Sequence, residues 1–303
     1  ISKKSIRSLV AMYRYLRVCR TELVITHSST DSWLVAIAIL FLTNRPRLIR
    51  YRHVSAAVHP SLLTRWLYRQ PDHIVTTSTD IKHHIESTLG IPSSKVSSIP
   101  TGVDLKDVPS REYRERTRRE LEIDPHSFVI VMVATLRSWK GHSFVLEAVA
   151  NLNQQNVKLV IVGDGPQFDN LQAKVIELGL SDFVRFFGHQ TDVRPYFLSC
   201  DIFVQPSYAN EGVSQSLIQA MAMGIPVVVT DIGGLNEVVK HGINGFLIPP
   251  KDVESIISAV KLIGNDVRMR SELTSNARVT IEGRHSSDYA TSEFLKCLKC
   301  IQH

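Results

Sequence analysis

Short apolar runs alternate with helix-period segments along almost the whole chain. In the second half the runs are Phe128–Ala134, Leu159–Val162, Val184–Phe187, Ile202–Val204, Val227–Thr230 and Phe246–Ile248. Most are continuous rather than alternating, which suits parallel strands buried on both faces. Between them, Phe144, Val145, Ala148, Val149 and Leu152 form one helical stripe. Leu217, Ile218, Met221, Ala222 and Ile225 form another. Strand and helix in steady succession dictate a doubly wound parallel sheet. The first half repeats the theme with Leu23–Thr26, Leu48–Arg52, Ile74–Thr77 and Val96–Ile99, one or two βα units short of the roughly six strands of a full domain of this kind.

The 303 residues suit about two such domains. The reading places an incomplete first domain at residues 1–107, with its linker near Asp104–Ser110. A second domain follows at 108–285, and a terminal helix at 286–303 is expected to pack back on the first domain. The stretch Arg111–Glu122 holds five Arg and four Glu and is expected to form an exposed helix. Trp33–Leu42 is the longest apolar run. It is too short for the ~20 residues that span a bilayer, so it reads as one buried helix.

The formal net charge is +6, which favours anionic partners. Lys3, Lys4, Arg7, Arg14, Arg17 and Arg20 all precede the first acid, Glu22, with Ile6, Leu9, Val10, Tyr13 and Leu16 at helical spacing between them. Two readings fit: a surface helix that meets anionic lipid, or an amphipathic helix with one face on a sheet. No basic run is interleaved with aromatics in a nucleic-acid-binding pattern. The Cys297–Cys300 pair lacks nearby partners for a zinc site and reads as two thiols on a helix. Sparse cysteine is compatible with a reducing cytoplasm.

Four segments leave strands and enter helices. The strongest runs from Pro206 to Pro226 and includes Glu211, Gly212, Val213, Ser214, Gln215 and Gln219, with Gly224 as a helix stop. A loop feeding a helix N-terminus presents free amides and partial positive charge, a ready site for a diphosphate. Glu211 can accept hydrogen bonds from sugar hydroxyls. The segment Ala134–His142 carries Arg137 and Lys140, cations that can neutralise a leaving diphosphate. Gly163 and Gly165 follow the strand Leu159–Val162, and Gly233 and Gly234 follow Val227–Thr230. These glycines permit either a plain turn or close approach of a ligand. In the first half, His27 and His53 stand at strand ends.

With these residues the sequence resembles glycosyltransferase family 4, retaining enzymes of the GT-B fold. The resemblance runs from Thr26–Trp33 through Ile99–Asp104, Arg137–Lys140, Gly163–Pro166 and Glu211–Gly224 to Gly233-Gly234 and Gly245–Pro250. It implies two Rossmann-like domains facing across a cleft, the second holding a UDP- or GDP-sugar. Arg137 and Lys140 resemble the basic pair on the diphosphate. The Glu211–Gln215 segment resembles the loop on the donor sugar and phosphates, position 219 the ribose contact, and His53 the histidine facing the transferred sugar. No metal or other cofactor is implied, because cations and helix N-termini neutralise the phosphates. Two positions depart from the pattern. Gln219 stands where a second glutamate is typical, and Thr135 stands where the arginine often lies, two residues before Arg137. The strand and glycine-rich loop that usually open the fold do not precede Ser2–Arg20.

The expected function is hexosyl transfer to a saccharide or lipid-linked acceptor in cell-surface polysaccharide or lipopolysaccharide synthesis. The expected location is the cytoplasm or the inner face of its membrane. The rival reading is a truncated, non-catalytic nucleotide-sugar binder. A sugar-nucleotide epimerase of the same fold would need a dedicated acid/base set, and no carboxylate-rich candidate is present.

Overall fold

The computed structural model describes residues 6–53, 56, 58–107, 113–152, 156–209 and 211–302, with backbone alone at 300 and 302. Lys3, Lys4, Val54, Ser55, Arg111, Asn210 and the Cys300 side chain therefore lie outside the described residues. The chain forms two compact units: Ile1–Pro100 with Ala290–His303, and Thr101–Tyr289.

The first unit runs α1 (Ile6–Val18), β1 (Leu23–Thr26), α2 (Ser29–Ala38), β2 (Arg47–Arg52), α3 (Leu62–Arg69), β3 (His73–Thr76), α4 (Thr79–Leu89) and β4 (Val96–Ser98). Its sheet is parallel and ordered β1-β2-β3-β4. Neighbouring residues of one strand face opposite ways, and the apolar clusters follow that rule. Leu48 packs with Leu16 of α1 and Val35 of α2, and Ile74 packs with Ile81 and Ile85 of α4. Ile49 and Val75 point the other way, into a layer formed by Ala290, Phe294, Cys297 and Leu298 of the last helix.

Two expectations are corrected here. Leu9, Met12, Tyr13 and Leu16 form the packed face of α1, whereas Ile6 and Val10 are exposed. The apolar residues of α1 wrap around more than the one stripe that α2 can cover. The Trp33–Leu42 run is likewise not one buried helix. α2 ends at Ala38 and a 3₁₀ turn, Ile39–Phe41, leaves Leu40 and Phe41 in solvent. At the other end of α2, Ser28 and Asp31 close a capping box, so the Asp31 carboxylate accepts from the amides of His27 and Ser28, each at 2.9 Å.

The second unit runs α5 (Arg114–Glu120), β5 (Phe128–Val133), α6 (His142–Leu152), β6 (Val157–Val162), α7 (Phe168–Glu177), β7 (Val184–Phe186), α8 (Arg194–Ser199), β8 (Ile202–Gln205), α9 (Gln215–Ala222), β9 (Val227–Thr230), α10 (Gly233–Val238), β10 (Phe246–Ile248), α11 (Val253–Asn265) and α12 (Val267–Arg284). The last helix, α13 (Ser287–Gln302), leads back into the first unit. The sheet is parallel and ordered β10-β9-β8-β5-β6-β7. The chain thus builds outward from β5 to β7, then returns to lay β8 on the other side of β5. That reversal is a topological switch point, where adjacent loops diverge and leave a crevice at the carboxyl ends of the strands. Ile130 and Met132 face a core under α6 and α11, while Val129 and Val131 face another under α8 and α9.

The charged stretch before β5 differs from expectation. α5 is not simply exposed: Arg118 and Thr117 are buried, and the Arg118 guanidinium donates to Asp201 at 2.8 Å. Charge density alone does not reveal that one arginine of the run is turned inward.

Candidate active site

The loops that follow β5 and β8 leave the sheet on either side of the switch point. Lys140 stands on the first and Glu211 on the second, and the Lys140 Nζ donates to Glu211 Oε1 at 2.6 Å. Glu211 is 5% exposed. A carboxylate this buried requires a charged partner, and Lys140 supplies it. The backbones of the two loops are also joined, because the Tyr208 amide donates to the Trp139 carbonyl at 2.9 Å. Gly141 takes φ +76°, and a Cβ there would lie 2.1 Å from the Pro206 carbonyl oxygen, so glycine is required for the loops to approach this closely.

The other glycines press loop against loop in the same way. A Cβ on Gly163 would lie 2.0 Å from the Ala134 oxygen, and its amide donates to the Gly188 carbonyl at 2.7 Å. Gly165 sits on Leu136, and its amide donates to Asp164 Oδ1 at 2.6 Å. Gly233 and Gly234 form the first turn of α10 against the backbone of Glu211, Gly212 and Val213, with the Gly234 amide donating to the Glu211 carbonyl at 3.2 Å. The close approach these glycines permit is therefore of neighbouring backbone, and the amides of Gly163, Gly165 and Gly234 have protein acceptors.

α9 begins at Gln215, with Ser214 as its N-cap accepting from the Leu217 amide. Gln215 and Gln219, one turn apart, line a cavity of about 320 Å³ with Met223, Val103, Asp192 and Arg194. Arg194 grips Asp192 through Nε at 2.9 Å and Nη2 at 2.8 Å, which holds that carboxyl below the usual range. One loop and helix thus carry Glu211 at the switch point and Gln219 into this cavity.

Arg137 does not join the Lys140–Glu211 pair. Its guanidinium lies over the Trp139 ring, 5.2 Å from the centroid, and lines a separate cavity of about 220 Å³ with His142, Tyr208 and Lys251. His142 was not singled out in the sequence, and a single histidine after a glycine gives no signal. It opens α6, is 2% exposed, and neither ring nitrogen has a hydrogen-bond partner among the described residues.

Burial, with a smaller effect from Lys140, pushes the His142 imidazole down to about 3. The unfolded value is about 6.5, so the unfolded chain takes up this proton first as pH falls. The stability involved is fully present above about pH 6.5 and is lost on descent toward 3. Urea titrations at about pH 7 and about pH 5 should show wild type losing about 2 kcal/mol more than His142→Leu over that interval.

In the first unit, His27 and His53 follow β1 and β2 and meet directly, Nδ1 to Nε2 at 2.9 Å. Tyr51 stacks on both rings, at 5.5 Å from His27 and 4.7 Å from His53. Partial burial, and then His27, lower the His53 pKa. Among the described residues no cluster of three or more His, Cys, Asp and Glu side chains is arranged to hold a metal ion. None of the described helices is long and apolar enough to cross a membrane.

Two parallel-sheet α/β units of this topology make the protein a GT-B fold, the class defined by its solved-structure neighbours. The chain belongs to the glycosyl transferases group 1 family, whose description it matches over residues 113–280, with residues 2–107 matching glycosyltransferase family 4. It is similar to an uncharacterized glycosyltransferase of Methanocaldococcus jannaschii, 30% identical over 233 residues, covering 75% of this chain and 59% of that protein. It is similar to the UDP-Gal:alpha-D-GlcNAc-diphosphoundecaprenol alpha-1,3-galactosyltransferase of Escherichia coli, 28% identical over 290 residues, covering 91% of this chain and 74% of that protein. Among solved structures, Anabaena HepE in complex with UDP-glucose superposes with a TM-score of 0.87 at 22% identity, covering 96% of this chain and 81% of that one. The chain thus spans 59% of the Methanocaldococcus jannaschii relative's length, under two thirds of it.

Proposed function

We propose that this protein is a retaining hexosyltransferase. It moves a sugar from a UDP- or GDP-type donor to a saccharide or lipid-linked acceptor in cell-surface polysaccharide or lipopolysaccharide synthesis. The observation that carries the reading is the buried Lys140–Glu211 pair at the switch point of the second sheet. In this reading the nucleoside occupies the cavity beside Gln215 and Gln219. The diphosphate meets Lys140 and the amides of Gly212, Val213, Ser214 and Gln215 at the start of α9, where free N–H groups and the helix dipole favour negative charge. Glu211 accepts hydrogen bonds from the hexose hydroxyls. The C1–O bond to the diphosphate breaks while the acceptor oxygen bonds to C1 on the same face, and the leaving phosphate takes the acceptor proton. Lys140 stabilises the charge that develops on the leaving group, so no resident metal or other cofactor is assigned. His53 keeps the role that the resemblance gives it, contact with the transferred sugar.

The name of the E. coli relative includes a diphosphoundecaprenol-linked acceptor, which supports a lipid-linked substrate. α1 exposes Arg7, Arg14 and Arg17 beside Ile6, Val10 and Val18. That composition supports peripheral contact with an anionic membrane at its cytoplasmic face.

Calorimetry with UDP and GDP, followed by transfer from labelled sugar nucleotides, tests the reading. Binding with turnover supports it. Binding without turnover would favour the non-catalytic binder, and absence of affinity for both nucleotides would remove the donor site altogether. Gln219 adds a further check. A carboxylate accepts from both ribose hydroxyls and makes stronger hydrogen bonds than a neutral amide. Gln219→Glu is expected to tighten nucleotide binding by about 1 kcal/mol, roughly fivefold, in the same calorimeter.

A further inference from the structure

The cavity beside Gln219 and the cavity beside His142 border cores on opposite faces of the second unit's sheet. The one beside Gln219 borders the core under α8 and α9, through Val103, Val193 and Met223. The one beside His142 borders the core under α6 and α11, through Phe144 and Leu171. Neither Lys140 nor Glu211 lines the second cavity. It is a place apart from the proposed donor site, and its chemistry is distinctive.

Arg137 and Lys251 line the cavity, and among the described residues no carboxylate does. Each cation rests on an aromatic ring, Arg137 on Trp139 and Lys251 on Tyr208, the latter with Nζ 4.7 Å from the ring centroid. Phe144 meets Tyr208 edge-on at 6.1 Å, which stiffens that wall. The 11-residue helix α6 starts here; the Phe144 amide donates to the Gly141 carbonyl at 3.0 Å, while the amides of His142 and Ser143 have no intrahelical acceptor. His142 lines the cavity while almost wholly removed from solvent, and both its ring nitrogens lack partners among the described residues. A buried polar group without a partner is costly unless something fills the space beside it. A neutral imidazole still offers one N–H to an anion.

We propose that this cavity binds a small phosphate-class oxyanion, either inorganic phosphate or the phosphate of a monoester. An imidazole N–H of His142 and the backbone amides of His142 and Ser143 would hold the oxyanion at its base, and Arg137 and Lys251 would close over it. The occupant would also brace the loop that carries Lys140, three residues after Arg137.

The test titrates inorganic phosphate, and in parallel glucose 1-phosphate, into the intact protein with UDP and GDP each present in excess. Heat of binding and the imidazole ¹H–¹⁵N resonances of His142, assigned by their loss in His142→Phe, are followed together. The expected result is saturable binding that persists beside both nucleotides, shifts the His142 resonances and weakens at least about tenfold in Lys251→Gln. Lys251 is exposed, so its variant keeps the fold. A response to phosphate alone or to the monoester as well supports the site and identifies the source of the anion. Absence of saturable binding, displacement by nucleotide, or equal affinity in Lys251→Gln would overturn the proposal. Because nucleotide affinity is scored separately, failure of this site is distinguishable from failure of the donor site.

Discussion

Lys140→Ala is expected to lower sugar transfer by about 10²–10³-fold, the range seen when one preorganised group is removed from a developing charge. Two effects act together. The leaving diphosphate loses a cation, and Glu211, at 5% exposure, loses its charged partner at 2.6 Å. Glu211→Gln keeps the shape of the side chain and removes its charge. It should cost a similar order of magnitude by releasing Lys140 from its position and weakening the hold on the hexose. Because the two groups form one unit, the double variant should be little worse than the more damaged single variant, which is the mark of coupling in a mutant cycle. Steady-state transfer from a labelled donor measures all three. Singles that stay within about twofold of wild type would remove the pair from the reaction. So would losses that simply multiply in the double variant.

Much of this architecture was legible from residue pattern. β9 and β10 fall at the expected Val227–Thr230 and Phe246–Ile248, because a short continuous apolar run between turns has few other ways to bury both faces. Other ends move by a residue or two where a neighbour decides the pairing. β6 starts at Val157 rather than Leu159 because Val157 and Lys158 pair with Phe128 and Val129. Pattern does not reach strand order, and strand order makes the site. Lys140 and Glu211 are 71 residues apart and meet only because β8 is laid beside β5. The glycines were legible as places of close approach, but not what approaches. Gly163 is pressed on Ala134, the residue just past the end of the adjacent strand β5, a fact of the sheet rather than of the local sequence. Arg137 and Lys140 look alike in the chain, yet the 3₁₀ turn Ser138–Lys140 sends one to Trp139 and the other to Glu211.

Arg118→Ala is expected to destabilise the second unit by about 3–5 kcal/mol, the cost of removing one partner from a buried ion pair. The Arg118 side chain is 4% exposed. Its Nε donates to the Ser199 carbonyl at 2.8 Å, its Nη1 to the Pro125 and Ser127 carbonyls at 2.7 and 3.0 Å, and its Nη2 to Asp201 Oδ2 at 2.8 Å. That carboxylate oxygen also accepts from the Val129 amide at 2.8 Å, while Oδ1 pairs with Arg114. One guanidinium therefore ties α5, the turn before β5 and the end of α8 to the acid that opens β8. Its planar fork makes these contacts at once, and no ammonium can reproduce them. Arg118→Lys should accordingly recover less than half of the loss. Arg114→Ala should cost about 1 kcal/mol, since its partner keeps Arg118 and its own side chain is 27% exposed. Urea unfolding read by Trp139 fluorescence, in a background with Trp33 and Trp66 replaced by Phe, isolates the second unit. If Arg118→Ala lost less than about 1 kcal/mol there, the network would be a by-product of the packing around α5 rather than a cause of it.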